Sequence, residues 1–579
     1  MTGGVVEVDL GEAPLAVVFA EAALQSSTHL NLVRDGRIAL HIKYLPMRGG
    51  FVLNDMRGDA WGAEAFLGCL RVPGGTGIRV ALTLGEDGLS VDAPGSDPLI
   101  LGDRFDLGGR LKADVPPTIT VASVEAEGGA SVPAAPLRVQ TAEAAGIAIG
   151  MDAAIGSSSA FYLEGWVDDR RAPLTGVGMV DFSTGLRAQL PFGRIRRNDV
   201  DEHLRVSKPG EFGFWAVGLG GLAQMESGAM SLQFADGASV PITLGPRTRQ
   251  GEAEFFEFLL AQYGRRQILG NIHARSFAEM GAGYGEVIGK LYRQIAATRR
   301  VSLRAEFGAP GTTPDLSLIC VLYGFPDFLY LLVSQFARFG PLDGLEFIFV
   351  NNSPEMEEVL LRDAELASFV FGANIRLIGL NQNCGFSHAN NVGVEAARAR
   401  TVAIVNPDVF PRHAAALDHL RAMAATSLGP DIVGGKLYYA DGSVMHEGMY
   451  FDQDRRLSVL CGTPVWTVEH FRKGFADTAP ETVREVPALT GAMMILERAT
   501  FQKLGGFSRS FVFGHYEDAD LCLRVRDAGG RVLLDPALAY WHYEGMGSIK
   551  KPEHVGSNLY NRWYFSRLWG RRLAESRNV

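Results

Sequence analysis

Three places in the second half of this 579-residue chain bring together side chains that could do chemistry. Asn406-Pro407-Asp408 follows the apolar run Thr401-Val402-Ala403-Ile404-Val405, which delivers Asp408 to the carboxyl end of a buried strand. A carboxylate there can hold a hard divalent cation against a diphosphate. An aspartate that only shapes the turn before Pro411 has the same local sequence. Further on, Glu517-Asp518-Ala519-Asp520 opens an apparent helix. Acidic residues suit a helix N-terminus whatever their function, yet one of these could take a proton from a hydroxyl. His542 stands between Trp541 and Tyr543, where it is either a packed ring or a ligand.

The elements that must position these groups are legible as a change of pattern near residue 314. Leu316–Leu322 and Leu345–Val350 are near-continuous apolar runs separated by helix-like segments, which indicates a parallel sheet buried on both faces. Their ends carry Tyr323-Gly324 and Asn351-Asn352-Ser353, polar residues at the edge where α/β folds collect ligands. No GxGxxG follows the first strand and no GxxxxGK[ST] occurs, which disfavours dinucleotide and P-loop chemistry. Ahead of this domain the chain divides into a β-rich part over 1–128, an Ala/Gly-rich linker over 129–150, a second β domain over 151–248, and a helical connector over 249–312. The expected fold is therefore two all-β sandwiches, the connector, and an α/β catalytic domain over 313–579.

A net charge of −10 leaves no basic footprint for a nucleic acid. Five scattered cysteines (Cys69, Cys320, Cys384, Cys461 and Cys522) fit neither a disulfide framework nor a zinc site. The start of the chain lacks the basic and apolar regions of a signal peptide, and no stretch approaches the roughly 20 apolar residues of a membrane span. The expectation is a cytoplasmic protein, at most peripheral to the inner face of the cell membrane. The tail from Asn558 to Leu573 mixes aromatics with arginines. That composition suits either an interfacial helix or a helix packed on its own domain.

Taken in order, the motifs of the second half resemble glycosyltransferase family 2, in particular its rhamnosyltransferase-like and galactofuranosyltransferase-like branch. Asn383-Cys384-Gly385-Phe386 with Asn391-Val392-Gly393 resembles the Asn-x-Gly-Phe…Asn-x-Gly segment beside the nucleotide-sugar. Asn406-Pro407-Asp408 stands where that family has its DxD motif, and Leu489-Thr490-Gly491-Ala492 where its donor and acceptor pockets are lined. Glu517-Asp518 matches the acidic pair whose second member is the base, and His542 the histidine that completes the metal shell. The resemblance implies a GT-A fold, a nucleoside-diphosphate sugar donor, inversion, and Mn²⁺ or Mg²⁺ held by Asp408 and His542. Tyr323, Asn351, Asn383, Gly385, Asn391, Asn406 and Gly491 are the implied donor-binding residues. Asp518, with Glu517 beside it, is the implied catalytic group, acting on a glycan or lipid-linked acceptor. Asn351 replaces the family's usual aspartate at the second strand's end, and Asn406 the first aspartate of DxD.

At the other end of the chain, His41, Asn54 and Trp61-Gly62-Ala63-Glu64 resemble the sugar-contacting strands of galectins. An aromatic face flanked by hydrogen-bonding groups suits a sugar ring. Lys43, Leu45 and Phe66 stand where galectins place further sugar contacts. The resemblance implies a carbohydrate-binding module, or a degenerate sandwich used for packing or homo-oligomer assembly. The rival to an enzyme is a lectin-like scaffold whose transferase domain is inactive.

Overall fold

The structure is a computed structural model. It describes residues 146–575 apart from 182–186, 207–209, 221–227, 243, 245–246, 269–276, 309–312, 479–481 and 546–550; ahead of residue 146 it describes chiefly the strands. Contacts divide the chain into two compact units, one holding residues 1–259 with 269–291 and 455–464, the other holding 260–268, 292–454 and 465–579.

In the first unit, strands between Thr2–Asp9 and Arg110–Ser123 form one ten-stranded antiparallel sheet. Its hub is the long strand Arg110–Ser123, which pairs with Thr2–Asp9, Leu15–Ala20 and His29–Arg34. Leu30, Leu32, Ile42, Val80 and Leu82 are fully buried, and the two-residue spacing puts one face inward. His41 and Asn54 are direct partners across neighbouring strands, and Trp61 pairs with Met56 in a two-residue ladder. Glu64 lies outside the described residues.

The second β region is two five-stranded sheets sharing a core of Phe161, Leu163, Phe214, Val177, Leu232 and Val240. It starts earlier than the expected boundary at 151. Arg138–Val139 pairs in parallel with Ala238–Ile242, and Ile149–Gly156 is already a strand. The stretch expected as a linker is therefore partly structural; its small residues hide strands too short to show an alternating pattern.

The second unit is an eleven-stranded mixed sheet. Its main strands are β1 (Val301–Phe307), β2 (Leu316–Leu322), β3 (Leu345–Asn351), β4 (Asn374–Leu380), β5 (Thr401–Val405), β6 (Val409–Pro411), β7 (Ile432–Tyr438), β8 (Met493–Glu497) and β9 (Val532–His542). They lie in the order β1-β4-β3-β2-β5-β8-β7-β9-β6. β1 was expected to belong to the helical connector. It instead pairs antiparallel with β4 and forms the sheet edge. Its residues alternate between half-buried and exposed along Val301-Ser302-Leu303-Arg304-Ala305-Glu306-Phe307, the pattern of an edge strand with one wet face.

The apolar runs of β2, β3 and β5 serve two cores at once. Leu316, Leu318 and Cys320 pack into one, while Ile319, Ile348, Val350 and Ile404 pack into the other on the opposite face. Successive side chains point to opposite faces, so these strands are mostly apolar, and the buried polar residues Ser317 and Glu346 bond to each other. β2 runs parallel to β3 on one side and to β5 on the other. Chain order reverses there, which opens a crevice beyond the carboxyl ends of β2 and β5.

The helices that bear on the site are α1 (Gly385–Ala396), which packs on β2 and β3, α2 (Glu517–Asp527), which packs on β9, and α3 (Pro552–Glu575). In α3, Tyr560, Trp563, Phe565 and Trp569 are buried against their own domain, the packed alternative for the tail. No described helix is long and apolar enough to cross a membrane. Cys320, Cys384, Cys461 and Cys522 are buried free thiols; Cys69 lies outside the described residues.

Candidate active site

The crevice floor is built by asparagine amides bonded to backbone. At the end of β3, Asn351 is fully buried; its Oδ1 accepts from Ser353 N, and its Nδ2 has no partner. The next residue, Asn352, ties two loops together. Its Nδ2 donates to Asn383 Oδ1 at 3.0 Å and its Oδ1 accepts from Cys384 N at 2.7 Å. Asn383 Oδ1 also accepts from Gly385 N, so Asn383 shapes the entry to α1. Gly385 sits at φ +76°, and a Cβ there would come within 2.7 Å of the Tyr292 hydroxyl; only glycine fits. Asn391 clamps the backbone of one residue, donating to Phe507 O and accepting from Phe507 N, both at 2.9 Å. Tyr323 lies at the end of β2, where its ring meets that of His554.

On the other side of the switch point, β6 pairs with the end of β9 so that Val409 faces His542. That register holds Asp408 and His542 together, reinforced by Tyr543 N donating to Asp408 O. Asp408 Oδ1 and His542 Nε2 are 3.3 Å apart, and both side chains are buried. His542 Nδ1 faces the Met445 thioether at 3.3 Å. A thioether only accepts, so a cation bound at Nε2 would leave the ring proton on Nδ1, facing that sulfur. Two acceptors at that separation suit a shared cation. Among the described residues no third His, Cys, Asp or Glu joins them. Further coordination would fall to ligand oxygens and water. Asn406 is half-buried at the start of the same turn, its N bonded to Ala492 O.

The three carboxylates opening α2 have three different environments. Asp520 is fully engaged: Oδ2 accepts from Arg524 and Oδ1 from Trp569 Nε1 at 2.9 Å, so it is a strut. Asp518 Oδ2 accepts from Gly491 N at 3.0 Å and Oδ1 from Ala519 N at 2.8 Å. Burial raises its pKa, and those two N–H donors partly offset the rise. Glu517 is buried with Oε2 unpaired. Burial first, and the neighbouring Asp518 second, push its pKa up to about 8.

The chain reaches α2 through a strained bend. Phe513, His515 and Tyr516 all have positive φ, at 58°, 82° and 73°. Each such residue without glycine costs about 1–2 kcal/mol. Asn561 of α3, fully buried, holds the bend in place. It accepts from Val512 N at 2.7 Å and donates to Val512 O at 2.9 Å and Gly514 O at 2.6 Å. Asn561→Ala should destabilise the domain by about 2–4 kcal/mol, from buried backbone groups left unpaired. Denaturant unfolding of the variant measures this, and a loss below about 0.5 kcal/mol would show that the bend holds itself.

Asn352 and Asn561 were not singled out in the sequence, because a buried asparagine bonded to backbone has no spacing signature. The Asn-Asn pair at the end of β3 was the available signal for the first; nothing marked the second.

Residues 344–566 match the family model described as glycosyltransferase like family 2. An uncharacterized protein, y4gI, of Sinorhizobium fredii (strain NBRC 101917 / NGR234) is 31% identical over 188 residues, covering 32% of this chain and 20% of that protein. The O-antigen biosynthesis protein RfbC of Myxococcus xanthus is 26% identical over 256 residues, covering 43% and 19%. The chain thus spans about one fifth of the length of these curated relatives. Among solved structures, GalNAc-T7 with UDP, GalNAc and Mn²⁺ aligns at 13% identity and a TM-score of 0.32, over 42% of this chain and 46% of that one. Residues 344–566 form a glycosyltransferase family 2 domain.

Proposed function

We propose that this domain transfers a sugar, with inversion, from a nucleoside-diphosphate donor to a hydroxyl of a glycan or lipid-linked acceptor in cell-surface polysaccharide synthesis. The observation that carries the reading is the division of labour between Asp518 and Glu517. Both oxygens of Asp518 accept backbone N–H groups, while Glu517 is buried with Oε2 unpaired. Asp518 Oδ2 keeps a second lone pair beside its bond to Gly491 N, with which to take the proton of the attacking hydroxyl. Attack from the face opposite the leaving diphosphate inverts the anomeric carbon. Asp408 and His542 are the proposed ligands of Mn²⁺ or Mg²⁺, which when bound supplies positive charge for the leaving diphosphate. Tyr323, Asn351 with its unpaired Nδ2, Asn406 and the loop from Asn383 to Gly385 are the proposed donor contacts. Asn391 serves that site by fixing Phe507.

For the first unit we propose a carbohydrate-binding role, supported by His41 and Asn54 standing directly opposite on adjacent strands and so sharing a face. Galectin-like ancestry, homo-oligomer assembly, a cytoplasmic location and contact of the arginine-rich tail with a membrane surface belong to the same proposal.

A donor screen tests the transferase reading. Nucleoside-diphosphate release from a panel of nucleotide sugars with Mn²⁺ should single out one donor. Absence of both release and binding across the panel would favour the inactive scaffold.

A further inference from the structure

Two segments carry the proposed chemistry. The donor loop from Asn383 to Gly385 leads into α1, and the bend from Val512 to Tyr516 leads into α2 and Asp518. They are far apart in the chain, so its local course does not fix one against the other. A third segment, from Tyr292 to Arg300, holds the first and reaches the second. It lies ahead of the family 2 domain at 344–566 and belongs to the same compact unit as both.

Its hold on the donor loop is a set of bonds to the two residues before Asn383. Arg300 N donates to Asn381 Oδ1 at 2.8 Å, and Asn381 N to Arg300 O at 3.1 Å. Asn381 Nδ2 donates to Thr298 O at 3.1 Å. Gln382 Nε2 lies within bonding distance of Thr298 Oγ1 at 3.1 Å and Ile295 O at 3.3 Å.

Tyr292 extends that hold to the bend. Its side chain is buried, and its hydroxyl donates to Cys384 O at 3.5 Å and accepts from Phe513 N at 3.3 Å. Loop and bend also meet directly, through Phe386 N donating to Phe513 O. A Cβ at Gly385 would fall 2.7 Å from the Tyr292 hydroxyl, 3.0 Å from Phe513 Cα and 3.1 Å from Phe513 O. The bare backbone of Gly385 is what lets loop, bend and tyrosine close on one point. The Arg299 guanidinium lies 4.5 Å over the Tyr292 ring, and the Phe513 ring meets it edge-on. A phenyl ring would keep both contacts, so the hydroxyl can be tested apart from them.

A buried tyrosine hydroxyl needs only one partner. This one bonds to the backbone of both segments, so a shift of the bend against the loop must stretch one bond or the other. We propose that Tyr292 is a positioning residue that keeps the base-bearing bend and the donor loop in one register. The assignment rests on the reading of Asp518 as the base and of 383–385 as a donor contact.

Tyr292→Phe removes only the hydroxyl, and Ile295→Val, buried in the same helix, is the control. Amide hydrogen exchange of the full chain should show residues 383–386 and 512–516 exchanging faster together in Tyr292→Phe, by about fivefold, the loss of one buried hydrogen bond on each. Neither segment should change in Ile295→Val. In Tyr292→Phe, kcat should fall about 10- to 100-fold, the cost of a small misplacement. The donor KM should stay within about threefold and the acid limb of the pH profile in place, because the base itself is untouched. Ile295→Val should keep its kcat, with unfolding midpoints measured for both. Exchange unchanged in either segment, equal loosening in Ile295→Val, or an unchanged kcat in Tyr292→Phe would each overturn the proposal. The exchange measurement needs no turnover. Joint loosening in a chain that transfers no sugar would count against the transferase reading and leave the coupling standing.

Discussion

Asp518→Asn should lower the transfer rate by about 10²–10⁴-fold, the contribution of a general base, while the affinity for the nucleotide stays near that of the unchanged chain. Both Asp518 oxygens accept backbone N–H groups, from Gly491 and from Ala519. The amide of asparagine can replace only one of those acceptors, so its NH₂ must face the other donor. A stability loss of about 1–3 kcal/mol is therefore expected alongside the kinetic one, and rates must be compared where the variant remains folded. The pH dependence separates the two effects. Burial raises the pKa of Asp518 above its ordinary 3.8, so the rate should rise with pH through a range above that of an exposed carboxylate, as Asp518 loses its proton. That acid limb should vanish in the asparagine variant. Turnover above about a tenth of the original would remove Asp518 from the role.

The parts of this site that were legible in the sequence are those that sheet physics forces to be local. A strand buried on both faces is mostly apolar, so β2, β3 and β5 announce themselves, and the polar residues at their ends follow. Asp408 and His542 were legible as a carboxylate and an imidazole at strand ends, and Asp518 as a carboxylate opening a helix. Their grouping was not. The approach of Asp408 to His542 depends on the register of β6 against β9, across more than a hundred residues. The split between Asp518 and Asp520 was equally hidden, because Trp569 reaches Asp520 from α3.

β1 escaped notice for a different reason. Its alternation of Ser302, Arg304 and Glu306 with half-buried residues follows directly on a helical stretch, and an edge strand buries too little to stand out. The bend before α2 shows the same limit. Phe513, His515 and Tyr516 are ordinary residues in the sequence, and the amide that ties down Val512 and Gly514 beside them, Asn561, comes from a distant helix. The strain lies directly ahead of Glu517 and Asp518, which is where a rigid bend fixes the direction of a base.

Removal of metal should abolish transfer, and its return as Mn²⁺ or Mg²⁺ should restore it. The argument starts from the two acceptors, Asp408 Oδ1 and His542 Nε2, buried 3.3 Å apart. A cation placed between them is met by one carboxylate oxygen and one imidazole nitrogen, a donor pair that suits Mn²⁺ or Mg²⁺. Asp408→Ala removes the only charged ligand of the pair. It should weaken Mn²⁺ binding by well over the 10–100-fold that outer-shell partners typically contribute. His542→Ala should weaken it by at least about tenfold on the same grounds. Mn²⁺ titration followed by electron paramagnetic resonance reads the affinity without turnover, and a chelator titration reads the activity. Both variants should need more metal for half-maximal transfer, and neither should change the fold, since β6 and β9 are joined through backbone bonds. Full activity in excess chelator, or Mn²⁺ affinity unchanged by both substitutions, would mean that the charge of the leaving diphosphate is met by side chains other than these.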